Sequence, residues 1–172
     1  MVVDFMKKSS DASGGLLLLG EPFEFRENGA LKVDFGEKII EFDPSSPNHL
    51  GRLERVLKRK LLQELEPVVG EYSRKLGVEF NRITIRKQRT RWGSCSSNRN
   101  LSFNLLLICL PRELIRYVAW HEVAHIKEKH HGRAFRELVG LEFGNYREME
   151  KRLAEYWSSV QNTNFLITLC KA

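Results

Sequence analysis

Four of the chain's five histidines fall within eleven residues, at His121, His125, His130 and His131; only His49 lies elsewhere. The tightest part of this cluster reads His121-Glu122-Val123-Ala124-His125. On a helix, residues four apart sit one turn along and about 40° around the axis, so both imidazoles can reach one ion. Zinc suits such a pair, because it takes neutral imidazole nitrogens at about 2.0–2.1 Å in tetrahedral geometry. Glu122 would then point to the side, where a carboxylate can take the proton of a metal-activated water without ligating. That chemistry attacks carbonyl or phosphoryl centres. A single histidine on the apolar stripe of Leu114 and Val118 would be an ordinary hydrogen-bonded core residue. Two at this spacing, with a glutamate after the first, point to a metal.

A hydrolytic zinc site needs a third protein ligand and an open position. On an unbroken helix His131 would point about 80° away from His121, and His130 to the opposite face. The helix must therefore end before 131 for either to bind, and Gly132 is consistent with such a break. The spacing of His121, His125 and His131 equals that of the extended zinc motif HExxHxxGxxH, but Glu128 stands at its glycine position. His131 is the expected third ligand, with a carboxylate such as Glu137 or Glu142 as the alternative. The expected cofactor is one Zn2+ ion.

The elements that must position these residues can be read from periodicity. Leu50, Leu53, Leu57, Leu61, Leu65, Val68, Tyr72 and Leu76 recur at steps of three and four, one face of a long helix. Ser46 caps it and Pro47 begins it, while Pro67 should kink or split it. Ile83 and Ile85 mark a strand, residues 91–98 a loop, and Leu101, Phe103, Leu105 and Leu107 a second strand. Pro111 opens the histidine-bearing helix, and further helices are expected over about 133–143 and 145–159. Upstream, Phe23 and Phe25, then Leu31, Val33 and Phe35, then Ile39, Ile40 and Phe42 read as three strands. Asn28-Gly29 between the first two is a hairpin signal, so a small antiparallel meander is expected. The division this implies is a mobile N-terminus over 1–15, the meander over 16–45, the hydrolase domain over 46–160 and a tail over 161–172, whose residues 165–169 would dock as a short strand or helix.

Composition bounds the rest. The 172 residues suffice for one domain with a small appendage, and 42% apolar with 29% charged residues is a globular balance. The longest apolar run, 105–110, is far too short to span a membrane, and four leucines at 16–19 are too few for a secretory leader. Cys95, Cys109 and Cys170 are widely spaced and odd in number, which leaves a cytoplasmic location as the default and a packing role for Cys95. Lys and Arg number 28 against 22 Asp and Glu, and no acidic residue occurs between Phe80 and Arg112. This basic stretch, 82–112, is either a solvated face or a site for anions, nucleic acid included.

The stretch from Arg89 through Arg91-Trp92-Gly93-Ser94-Cys95, then Leu101-Ser102-Phe103-Asn104, then His121 to His131 and Phe135, resembles the YgjP-like metallopeptidase-domain family. The resemblance covers about Arg82 to Trp157 and implies an α+β, minimal zincin-like core related in outline to SprT-like and WLM proteases. A small antiparallel or mixed sheet would pack on the histidine helix, after a long preceding helix. It also implies that His121, His125 and His131 ligate and that Glu122 is the catalytic base. Members are catalogued as metallopeptidases, and some as UTP pyrophosphatases. The residues speak to both substrates. Residues 100–105, with Asn104 at the end, could act as an edge strand that pairs with an extended peptide. Arg89, Arg91 and Arg99 could instead grip the phosphates of a nucleotide, or a nucleic-acid backbone as in DNA-associated SprT-like proteases. Trp92 could wall the pocket, Gly93 and Ser94 could form a tight turn, and Tyr146 could donate to a transition state; core packing is the plainer role for Trp92 and Tyr146. Met149 falls in a helical pattern and is discounted as a methionine turn. A nucleic-acid-binding module with a structural metal is the non-enzymatic reading, and a glutamate beside the site argues against it.

Overall fold

A computed structural model of the chain describes residues 16–161. The N-terminal 15 residues and the tail, for which mobility and a docked segment are expected from sequence, lie outside them. The fold is α+β, and the described residues form two small mixed sheets and four α-helices.

The first sheet contains β1 (Leu16–Leu18), β2 (Glu21–Glu27), β3 (Lys32–Asp34) and β4 (Ile39–Phe42), in the order β1-β2-β4-β3. The expected antiparallel meander is corrected: β2 runs parallel to β4, with Glu24 opposite Ile39, and Asn28-Gly29 does not close a hairpin. Two forces explain the change. β4 carries Ile40 and Phe42, both fully buried, and the central position pairs both its edges. The tight turn forms instead after β3, where Asp34 Oδ1 accepts from the amides of Gly36 and Glu37, both at 3.0 Å.

Helix α1 (Pro47–Leu76) begins as expected, with Ser46 Oγ accepting from the His49 amide, and ends at Gly77 in the left-handed region (φ 62°). Pro67 does not split it. Its buried stripe passes through Val69, with Val68 only half-buried. This stripe seats α1 against the histidine helix and the core.

The second sheet has β5 (Arg82–Arg86), β6 (Gly93–Cys95) and β7 (Asn100–Asn104), in the order β5-β7-β6. Two expectations change here. Residues 93–95 are a strand, and 100–104 occupy the centre of the sheet, parallel to β5 and antiparallel to β6, so they offer no free edge. β7 also stops at Asn104, where a 3-10 helix over Leu105–Cys109 begins. Apolar side chains at both odd and even positions past Asn104 end the alternation, and a one-sided strand could not bury them all; the 3-10 turn does. The N-terminal sheet is tied to this turn by the Leu19 amide, 2.7 Å from the Ile108 carbonyl. Three helices follow: α2 (Arg112–Lys127), α3 (Arg133–Glu142) and α4 (Tyr146–Gln161).

Candidate metal centre

His121 and His125 lie one turn apart on α2, and the chain leaves that helix at Glu128 with extended torsions (φ −124°, ψ 105°). This residue turns the backbone without any left-handed conformation, so no glycine is needed there. The Glu128 amide closes the helix onto the Ala124 carbonyl, and its own carbonyl accepts the Nδ1 proton of His125 at 3.0 Å. One residue thus ends the helix and fixes the tautomer that leaves His125 Nε2 with a lone pair.

The chain then returns His131 over the helix. Its Nε2 lies 3.0 Å from that of His121 and 3.2 Å from that of His125. A single donor atom from each of the three residues lies within 4.8 Å of the others. Ligands at 2.0–2.1 Å on a tetrahedral ion stand about 3.3–3.4 Å apart, so the separations of His131 from His121 and from His125 are close to those a zinc ion requires. The donor set also fits chemically. Burial, reinforced by His125 and His131, holds the His121 imidazole down to about 3, and burial lowers His125 as well. Neutral imidazole is the ligating form. Phe135 of α3 backs all three rings, stacked on His125 at 4.5 Å and edge-on to His121 and His131 at 4.9 and 4.7 Å. Glu137 and Glu142 lie elsewhere, paired with Arg133 and Lys75.

Glu122 is 5% exposed, beneath β6. Burial pushes its carboxyl up to about 8, with the Arg91 guanidinium opposing. Its Oε2 has no hydrogen-bond partner among the described residues. A buried carboxylate oxygen left this way is costly unless a cation or a proton donor meets it. The carboxylate is admitted by Gly93, where a Cβ would lie 2.7 Å from Oε1, 2.8 Å from Cγ and 2.9 Å from Cδ. Gly93 is therefore a strand residue needed for close approach; the tight turn expected from sequence does not form there.

Hydrogen bonding within the second sheet exposes one edge to this site. The Asn104 amide donates to the Trp92 carbonyl, and the Ser96 amide to the Asn100 carbonyl. In an antiparallel ladder bonded pairs alternate, so Trp92, Ser94 and Ser96 face β7 while the backbone groups of Gly93 and Cys95 face the open edge. A cleft of about 550 Å³ runs from Ser94–Ser97 past Lys129 to His121, Glu122, His125 and His131. It meets a second hollow of about 480 Å³ that shares Thr90, Arg91, Gly93, His121 and Glu122.

The other residues singled out from sequence divide. Arg91 borders both hollows. Trp92 walls the second, edge-on to Trp157 at 4.7 Å. Tyr146 borders a smaller hollow beside His131. Cys95 is half-buried on β6, and Met149 is buried on α4. Arg89 is exposed and borders none of these hollows. Asn104 is fully buried: its amide donates to the Gln88 and Arg91 carbonyls, both at 2.8 Å, and its Oδ1 accepts from Leu106. It clamps the loop before β6 and does not reach the cleft. Within the basic stretch, Lys87 and Arg112 are paired with Glu54 and Glu64. Sequence reasoning missed Trp157 and Tyr117 as walls, and no sequence signal marks either.

An α+β fold that gathers three histidines at the end of one helix, with a buried glutamate alongside, has the side chains of a metallohydrolase. A family model for the YgjP-like metallopeptidase domain matches residues 13–156, and the chain belongs to that family. No curated protein matches. Among solved structures, the metallopeptidase zymogen of Pyrococcus abyssi abylysin aligns at 22% identity and TM-score 0.48, over 52% of this chain and 90% of that one. The zymogen of Methanocaldococcus jannaschii jannalysin aligns at 24% identity and TM-score 0.49, over 54% and 88%. No helix among the described residues is long and apolar enough to cross a membrane.

Proposed function

We propose that the chain is a zinc-dependent metallopeptidase, in which His121, His125 and His131 hold the ion and Glu122 is the general base. The observation that carries this reading is the convergence of three Nε2 atoms beside a buried carboxylate whose Oε2 lacks a partner. Bound there, zinc supplies Lewis acidity toward a carbonyl oxygen and makes water acidic enough to attack at neutral pH. Glu122 takes the proton from the attacking water and returns it to the departing amine nitrogen. The zinc charge would draw the carboxyl down from the raised value that burial alone imposes, and so keep it ionised as a base. The open edge of β6 supports a peptide over a nucleotide. Gly93 and Cys95 present amide and carbonyl groups in the register of an extended backbone, whereas a phosphate, which only accepts, would leave the carbonyls unpaired.

Metal analysis of the purified chain should find about one zinc ion per molecule. Glu122→Gln should keep the ion and lose cleavage of an unfolded protein. Parallel incubation with UTP separates the substrates: pyrophosphate release with no peptide cleavage would transfer the site to nucleotide hydrolysis.

A further inference from the structure

The two hollows that meet over Glu122 differ in character. The one toward Ser94–Ser97 is polar and carries Lys129. The other is walled mainly by Trp92, Trp157, Tyr117, Val118, Leu153 and Ala154. Its indoles are fixed edge to face, at an interplanar angle of 89°. Arg91 and Glu150, opposite in sign, border it, as does Glu122 where the hollows join; the Tyr117 hydroxyl donates to Glu150 at 3.4 Å. A charged guest would give up its hydration among apolar walls and meet at least one like charge, Arg91 for a cation or Glu150 and Glu122 for an anion, whereas an apolar guest loses only unfavourable contact with water.

We infer that this hollow selects the substrate by receiving a large, uncharged apolar side chain from the residue immediately C-terminal to the bond that is cut. The inference rests on the peptidase reading above and gives it a specificity. The side follows from chain direction. β6 runs from the apolar hollow at Trp92 toward the polar one at Ser96. A peptide that pairs antiparallel with the open edge, the more stable arrangement per residue, runs the opposite way. Its N-terminal half then lies by Ser94–Ser97 and its C-terminal half enters between the tryptophans. The scissile bond lies where the hollows join, at Gly93 and Glu122.

The test titrates zinc-loaded Glu122→Gln with blocked pentapeptides that differ at one central position, followed by tryptophan fluorescence. Leu or Phe should bind at least about tenfold more tightly than Ala, Asp or Lys. Ala154→Phe, which fills the hollow from an exposed helix position, should reduce the Leu peptide to the Ala level. Equal affinity across the series, or preference for Lys, overturns the inference. Product mapping with the unmodified chain fixes the side. New N-termini that begin with Leu or Phe support it, and new C-termini that end with them overturn it. Cleavage without preference defeats the specificity and leaves the peptidase reading standing. Selective binding with no cleavage of any peptide keeps the apolar hollow but defeats that reading and the cleavage side with it.

Discussion

Gly93→Ala is the sharpest test of how Glu122, the proposed base, is placed. The added methyl carbon would lie 2.7 Å from Glu122 Oε1, whereas ordinary contact begins near 3.4 Å. Something must therefore yield by about 0.7 Å, the difference of those two distances. β6 is held by its ladder to β7 and by the Asn104 clamp behind it, so the side chain of Glu122 is the softer partner. Overpacking of this kind costs about 1–3 kcal/mol, or roughly 2–12 °C in Tm for a chain of this size. The catalytic effect should be larger than the loss of stability suggests, since a displacement near 1 Å can lower turnover by about 10²-fold. Zinc content should stay unchanged, because none of the three histidines touches the new methyl group in the first contacts it meets. The assay is kcat/KM on a peptide substrate, with zinc content and thermal melting measured on the same preparation. A Gly93→Ala protein with full zinc, a lowered Tm and wild-type turnover would refute the role of Glu122 as base. One with wild-type turnover and an unchanged Tm would refute the close packing itself.

Three further outcomes follow from the same geometry. His131→Ala should weaken zinc binding by at least about 10²-fold in chelator competition, while Glu137→Gln and Glu142→Gln, whose carboxylates are engaged with Arg133 and Lys75, should leave it unchanged. Asn104→Ala orphans two loop carbonyls and should cost about 2–3 kcal/mol, read as a Tm lower by roughly 5–10 °C; an unchanged melt would remove the clamp. Pro67→Ala restores an amide donor inside α1 at an exposed position and should stabilise by about 1–2 kcal/mol, a result that a lower Tm would contradict.

What the sequence determined by itself is what depends on short spacings. The 3.6-residue period placed α1, α2 and their buried faces, and the same period put His121 and His125 on one side of α2. The break before His131 was implied as well, because an unbroken helix would have turned that ring away. Local signals failed where long-range pairing competed with them. Asn28-Gly29 is a good hairpin sequence, yet pairing β4 on both edges buries Ile40 and Phe42, and that gain exceeds what one two-residue turn supplies. Asn104 looked like a polar strand end open to substrate; it is the clamp that shapes the loop, because a buried amide must satisfy its hydrogen bonds wherever backbone carbonyls converge. The approach of Gly93 to Glu122 spans twenty-nine residues of sequence, and Trp92 meets Trp157 across sixty-five. No periodicity carries such information. Which strand has the free edge, and which walls enclose the substrate, are settled only when sheet and helices pack, since those contacts form between segments whose local patterns are independent of one another.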